Sequence, residues 1–157
     1  DLEATLFRPF NWIGPKLDSL DQAQLGNGRV ITIFINNLIN NQDIVLVNGG
    51  LQRRSFTYLD DGIDALKKII DGDSKKLNSK IFNIGNPKGN LSIKELAEIT
   101  ANILNYNGKL TFNTKYPDGA EIKVLDNTLF KKMFPRYEFV SIEKGIRKAV
   151  DYYHSVI

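Results

Sequence analysis

Two short apolar segments, residues 2–8 and 80–84, constrain this chain more than any other feature. Both are short and mainly apolar, and they lie far apart in the chain. Each is also stopped by a breaker, Pro9 after the first and Gly85 and Pro87 after the second. Short apolar strands of this kind belong to covered sheets, which are usually parallel. Parallel strands need a crossover between them, and residues 9–79 are available for it. That intervening stretch is too irregular for a plain strand–helix–strand repeat. The pattern points to part of a nucleotide-binding sheet with a ligand-covering lobe inserted into it.

The rest of the chain divides by periodicity and punctuation. Residues 16–28 form a polar segment, and residues 29–40 form an amphipathic helix with Ile31, Phe34, Ile35, Leu38 and Ile39 on one face. "DIVLV" is a strand ended by Asn48-Gly49-Gly50, and "RSFTY" is another short strand. Asp60 is expected to cap a helix carrying Ile63, Leu66, Ile69 and Ile70 and ending at Gly72. Ser92 and Glu95 have the spacing of a capping box, ahead of a helix with Leu96, Ile99, Ile103 and Leu104 inside. "KLTFN" is a further strand. Asp126 caps a short helix to Met133, and Ser141 caps a last helix with Ile142, Ile146, Val150 and Tyr153 inward. No repeat, low-complexity tract or linker interrupts the series, so residues 1–157 are expected to form one α/β unit.

Composition narrows the function classes. The chain has no cysteine and one histidine, which removes disulfides, thiolate metal sites and most histidine-based catalysis. His154 falls near the end of the last helix, where the helix dipole accounts for it. No metal site is expected. The 21 Lys and Arg against 18 Asp and Glu are interspersed, apart from the pairs Lys67-Lys68, Lys75-Lys76 and Lys131-Lys132. Those pairs fall at expected helix ends, and no aromatic stacking platform accompanies them, so no nucleic-acid partner is expected. No apolar run approaches the roughly 20 residues that span a bilayer, so no membrane partner is expected either. A cytoplasmic setting fits these features.

Few residues remain for chemistry. Neither a G-x-G-x-x-G turn between a strand and a helix nor a P-loop is present. Asp60-Asp61 reads as a helix cap with a second favourable charge. Asn11 falls at the carboxyl end of the first strand, where open α/β sheets place ligands. Its amide either donates to a phosphate or sugar oxygen or closes the turn before Gly14. Arg53 and Arg54 enter a strand side by side, so their side chains point to opposite faces. Either one of them reaches a cleft as a bidentate partner for a diphosphate, or both stay at the surface. Arg29, just before the amphipathic helix, is a third cation of interest.

In order along the chain, "LFRPFNWIGPKLD", "NGRVITIFINNLI", "GGLQRRSFTYLDDGIDAL" and "IFNIGNP" followed by "SIKELAEI" resemble the C-terminal half of extended short-chain dehydrogenase/reductases. These are NAD-dependent nucleotide-sugar epimerases and dehydratases. Over residues 2–104 the likeness is to the UDP-glucuronate decarboxylases. The tail "KYPDGAEIKVLDNTLFKKMF" is more similar to GDP-fucose synthases. The resemblance implies the C-terminal part of a Rossmann-type fold: a substrate lobe plus two or so parallel sheet strands. It implies NAD as cofactor, bound mainly by an N-terminal half that this chain lacks together with its Tyr-x-x-x-Lys pair. It implies that Asn11 contacts the nucleotide-sugar and that Arg29 and the loop 45–54 close around the UDP part, with Arg54 at the diphosphate. Tyr58 and Asp60 match an architectural region, and Val45 replaces a lysine near the nucleotide. Tyr116 matches a substrate-contacting tyrosine. The proton-donating arginine of the decarboxylases falls near Ile122, which leaves Lys123 as the catalytic candidate.

The expected partner is therefore a nucleotide-sugar, a UDP-sugar first and a GDP-sugar second, and a homodimer is the assembly the family suggests. The reaction implied is decarboxylation, epimerisation or dehydration. A GDP-fucose-synthase-like epimerase/reductase is the alternative within the enzyme class. Outside that class, the alternative is a non-catalytic binding or interaction module, or an inactive fragment.

Overall fold

A computed structural model describes residues 3–113 and 120–156, and in it the two apolar segments pair directly. Strand β1 (Leu6–Pro9) runs parallel to β6 (Ile81–Ile84), with Leu6 opposite Ile81 and Pro9 opposite Ile84. Between them come β2 (Trp12–Ile13), helix α1 (Leu20–Gln24), helix α2 (Val30–Ile39) and β3 (Ile44–Val47). A 3-10 turn (Asn48–Gly50), β4 (Arg53–Ser55), β5 (Thr57–Tyr58), helix α3 (Leu59–Ile70) and the short helix α4 (Ser74–Leu77) follow. After β6 the order is β7 (Asn90–Ser92), α5 (Ile93–Ile103), β8 (Leu110–Asn113), β9 (Ile122–Lys123), α6 (Thr128–Met133) and α7 (Ile142–Ser155).

The strands form small sheets. Alongside β1–β6, β2 pairs with β5 and β3 pairs with β8, both in parallel. β4 lies between antiparallel β7 and parallel β9. Two apolar clusters organise these pieces. One joins Phe34, Ile35 and Leu38 of α2, Leu96 of α5 and Ile146 and Tyr153 of α7 against Ile44 and Leu46 of β3. The other packs Ala65 and Ile69 of α3 with Phe82, Ile84 and Phe130. The expected coverage of β1–β6 is found on one face only: Phe82 and Ile84 are fully buried, while Leu6 and Ile81 are 56% and 42% exposed.

Several local expectations need correction. Residues 16–28 are not simply a polar loop, because Ser19 accepts the Gln22 N–H and starts α1. "RSFTY" is two strands in different sheets. They are divided at Phe56, whose N–H donates to the Gly89 carbonyl. Asp60 is not the cap of α3, since Tyr58 holds that position and its hydroxyl donates to Asp60 at 2.7 Å. Asp126 does serve α6, accepting the Thr128 N–H, although Asn127 is the residue at the cap position. The caps of α5 and α7 form as expected, with both halves of the Ser92–Glu95 box present and Ser141 accepting from Lys144.

Asp61 is the buried acid of this region. Its carboxylate accepts the Val140 N–H at 3.0 Å, and its backbone carbonyl accepts the Tyr137 hydroxyl at 2.6 Å, so it ties the segment before α7 to the start of α3. Burial raises its pKa from 3.8 to about 6; Asp60 and Asp64 add to the rise, while Val140 and Lys148 oppose it. An acid with a higher folded pKa stabilises the fold while protonated, and that contribution is lost as pH rises through the folded value. Asp61 should therefore make the melting temperature fall as pH climbs from 3.8 to about 6. Asp61→Asn keeps an acceptor for Val140 and should flatten that limb in thermal melts across the range. An identical pH profile in the variant would contradict this assignment.

Candidate functional site

The sequence-derived candidates collect around the N-terminal end of α2 and the strand β4. Asn11, at a positive φ of 22°, follows β1. Its side-chain amide donates to the Ser55 carbonyl at 2.9 Å, and its own carbonyl accepts the Thr57 N–H at 3.2 Å. Turn closure and strand docking therefore account for one amide hydrogen, and the residue remains exposed at a shallow depression with Trp12, Arg29, Val30 and Phe56.

Arg29 occupies the cap position of α2, and its guanidinium is engaged locally. Its Nη1 donates to the Leu17 carbonyl at 2.8 Å and to the Asp18 carboxylate. The second Asp18 oxygen accepts the Arg29 N–H at 2.9 Å and the Thr32 hydroxyl at 2.8 Å, so Asp18 caps α2 from eleven residues upstream. The sequence carries no short-range signal for such a cap.

Arg53 and Arg54 separate as strand alternation requires. Arg53 donates to Glu95 at 3.2 Å and to the Asn90 carbonyl at 2.6 Å, which commits it to the fold. Glu95 in turn accepts the Ser92 N–H at 2.6 Å. That N–H above all holds the Glu95 carboxyl below its ordinary range, with the Ser92 side chain and Arg53 adding to the effect and burial opposing it. Arg54 turns the other way. It is half-buried, its Nη1 donates to the Arg53 carbonyl at 2.8 Å, and it lines a second depression with Val30, Phe34, Val45, Val47 and Ile93. The two depressions share Val30.

Lys123 is opposite Arg54 in the β4–β9 ladder, and residues opposite one another in a ladder share a sheet face. Lys123 is exposed, so the fold sets a second cation beside Arg54, which itself lines the apolar slot. The loop 45–54 that the resemblance implies is largely strand at its ends, as the sequence reading of this stretch expected: residues 44–47 and 53–55 are strands, and residues 48–52 connect them. Gly49 and Gly50 take positive φ values of 76° and 67° there. A side chain on Gly50 would also come within 3.0 Å of the Lys94 nitrogen. Tyr116 lies outside the described residues.

The geometry suits an anion next to a flat apolar group. Acid–base work has less support here. Among the described residues no group of acids and histidine is arranged to hold a metal. A nicotinamide dinucleotide needs a glycine turn between a strand and a helix to cradle its diphosphate. The glycine after β6 does not provide one: a Cβ on Gly85 would meet Leu125 Cδ2 at 2.3 Å and Thr57 Oγ1 at 3.0 Å, so its space is filled by the chain itself. The described residues alone therefore do not fit that cofactor.

A model described as the NAD dependent epimerase/dehydratase family matches residues 1–85. The bifunctional polymyxin resistance protein ArnA of Wigglesworthia glossinidia brevipalpis is 44% identical over 128 residues, covering 82% of this chain and 19% of that protein. Among solved structures, the PbgP3 protein of Burkholderia pseudomallei is 34% identical with a TM-score of 0.77, over 98% of this chain and 47% of its own. UDP-glucose 4-epimerase of Thermotoga maritima, solved with UDP-glucose, is 22% identical with a TM-score of 0.83, over 99% and 47% of the two chains. At that identity the likeness concerns the fold alone. The chain spans about half the length of these solved relatives and about a fifth of the curated one. The α/β class and the Rossmann-type likeness expected from the sequence are borne out.

The two arginines should separate in stability measurements. Arg53→Ala is expected to lower unfolding stability by about 1 kcal/mol, since it strips a partner from Glu95 and from the Asn90 carbonyl. Arg54→Ala should stay within about 0.5 kcal/mol of the parent in urea unfolding. Equal losses would contradict the division of labour.

Proposed function

Since the chain belongs to the NAD dependent epimerase/dehydratase family, we propose that it binds the nucleotide part of a nucleotide-sugar within a sugar-modifying enzyme of that family. The observation that carries this reading is the pairing of Arg54 with Lys123 on one sheet face, beside the slot lined by Val30, Phe34, Val45 and Val47. A diphosphate bearing two negative charges matches two adjacent cations, and Arg54 offers the planar fork that binds phosphate oxygens in pairs. The apolar walls suit the face of a nucleobase. On this reading Lys123 is a second phosphate contact, and the sugar projects toward Asn11 and Arg29 across the shared Val30. Arg29 reaches a ligand with the guanidinium nitrogens that Leu17 and Asp18 leave open.

The substrate proposed first is UDP-glucuronate, with decarboxylation as the reaction of the whole enzyme, and a GDP-sugar is second. The first choice follows the resemblance of residues 2–104 to the UDP-glucuronate decarboxylases, and the second the resemblance of the tail to GDP-fucose synthases. NAD is the proposed cofactor of the whole enzyme, and Tyr116 is proposed as a sugar contact. A cytoplasmic setting and a homodimer belong to the same reading.

Calorimetric titration of the 157-residue chain with UDP-glucuronate, UDP and GDP tests it. Arg54→Ala should weaken UDP-glucuronate binding by on the order of 2 kcal/mol, about 30-fold. Lys123→Ala should weaken it less, with a loss that shrinks as salt is added. Binding that neither variant alters would overturn the reading, and tighter binding of GDP than of UDP would move it to the alternative nucleotide.

A further inference from the structure

Three lysine pairs are distributed along the sequence, and each falls at the end of a helix: Lys67-Lys68 in α3, Lys75-Lys76 in α4 and Lys131-Lys132 in α6. The dipole of each helix accounts for a cation at its end. It does not account for the three ends lying together. Lys68 and Arg136 line one surface depression with Met133 and Phe134, and Lys76 lines the next depression with the same Met133 and Phe134. A third depression continues from there through Gly72 and Leu77 to Ile70.

These cations are available. All six lysines and Arg136 are exposed. Lys68 pairs with Asp64 at 3.8 Å and Lys76 with Asp73 at 3.4 Å, both exposed contacts within one helix that solvent weakens. Among the described residues the other five cations form no ion pair. The floor between them is apolar, with Met133 and Phe134 half-buried and Ile70 71% exposed.

We infer that this face binds the surface of an anionic lipid bilayer. Lys68, Lys76 and Arg136 line these depressions, and the other four lysines lie close to lining residues in sequence on the same three helices. Cations around an apolar floor match the requirement for attraction to anionic headgroups with shallow contact below them. Protein interfaces are depleted of lysine and favour arginine and aromatic anchors, which argues against a protein partner here. Single-stranded nucleic acid would use exposed aromatic rings for stacking, and the aromatic residues of this face are half-buried in its floor. The expectation of no membrane partner came from the lack of a spanning segment, and indeed no described helix is long and apolar enough to cross a membrane. Peripheral binding requires no such segment. The inference does not rest on the nucleotide site, which uses other residues.

Co-sedimentation of the chain with phosphatidylcholine vesicles, with and without phosphatidylserine, tests it. Binding is expected only with phosphatidylserine and should fade at high ionic strength. Replacing Lys67-Lys68 or Lys75-Lys76 by glutamine should each lower the partition coefficient by about 30-fold. Replacing Lys94 and Lys144, a half-buried and an exposed lysine at the starts of α5 and α7, should leave it unchanged. Circular dichroism checks that each variant is folded. No binding to the anionic vesicles, equal binding to the neutral ones, or an equal loss in the Lys94/Lys144 control would overturn the inference. Binding to duplex DNA in preference to the anionic vesicles would also overturn it, in favour of nucleic acid.

Discussion

The arrangement of the candidate site depends on Glu95. Its carboxylate takes the Ser92 N–H that completes the capping box of α5, and it also takes the Arg53 guanidinium from β4. A local helix-start device thereby becomes a tertiary clamp. With Arg53 held on one face, strand alternation leaves Arg54 on the other, beside α2 and β3. Lys123 joins it there only because β9 docks on the far edge of β4 in that register. Two cations 69 positions apart in number, 54 and 123, come together through one three-residue strand.

Asp61 plays a comparable part for the other apolar cluster. It draws the segment around Tyr137 and Val140 onto the start of α3, so that Phe130, Tyr137 and Phe139 close over Phe82. Among the described residues its charged form has no ion-pair partner, and burial dominates its titration. Gly62, the next residue, fits against the Trp12 ring, where a Cβ would come within 2.9 Å. The start of α3 is thus crowded on both sides, and the strand pair β2–β5 is held next to it.

What could be read from the sequence followed the range of the interactions involved. The α2 and α7 faces, the α5 capping box and the Ser141 cap depend on neighbours within one or two turns, and they appeared where periodicity and spacing put them. The pairing of β1 with β6 was legible because both are short, mainly apolar segments ended by breakers. The strands β7 and β9 have no pattern of their own and exist through β4, so their two or three residues gave no signal. Asp18 was hidden for a similar reason, since the helix it caps begins eleven residues later. Asp60 and Asp61 are chemically identical in the sequence. Only the approach of Val140 decides which one is buried. At the site, Arg54 was legible as one of a pair on alternating faces, but its partner Lys123 depended on a ladder register that composition does not encode.

The most direct test of the central claim is a nitrogen-resolved NMR titration of the arginine side chains with UDP. The account predicts a saturable shift of the Arg54 Nε–H resonance, with Arg53 unmoved because Glu95 and the Asn90 carbonyl already hold it. A shift of Arg53 in place of Arg54, or no shift of Arg54 at saturating UDP, would contradict it.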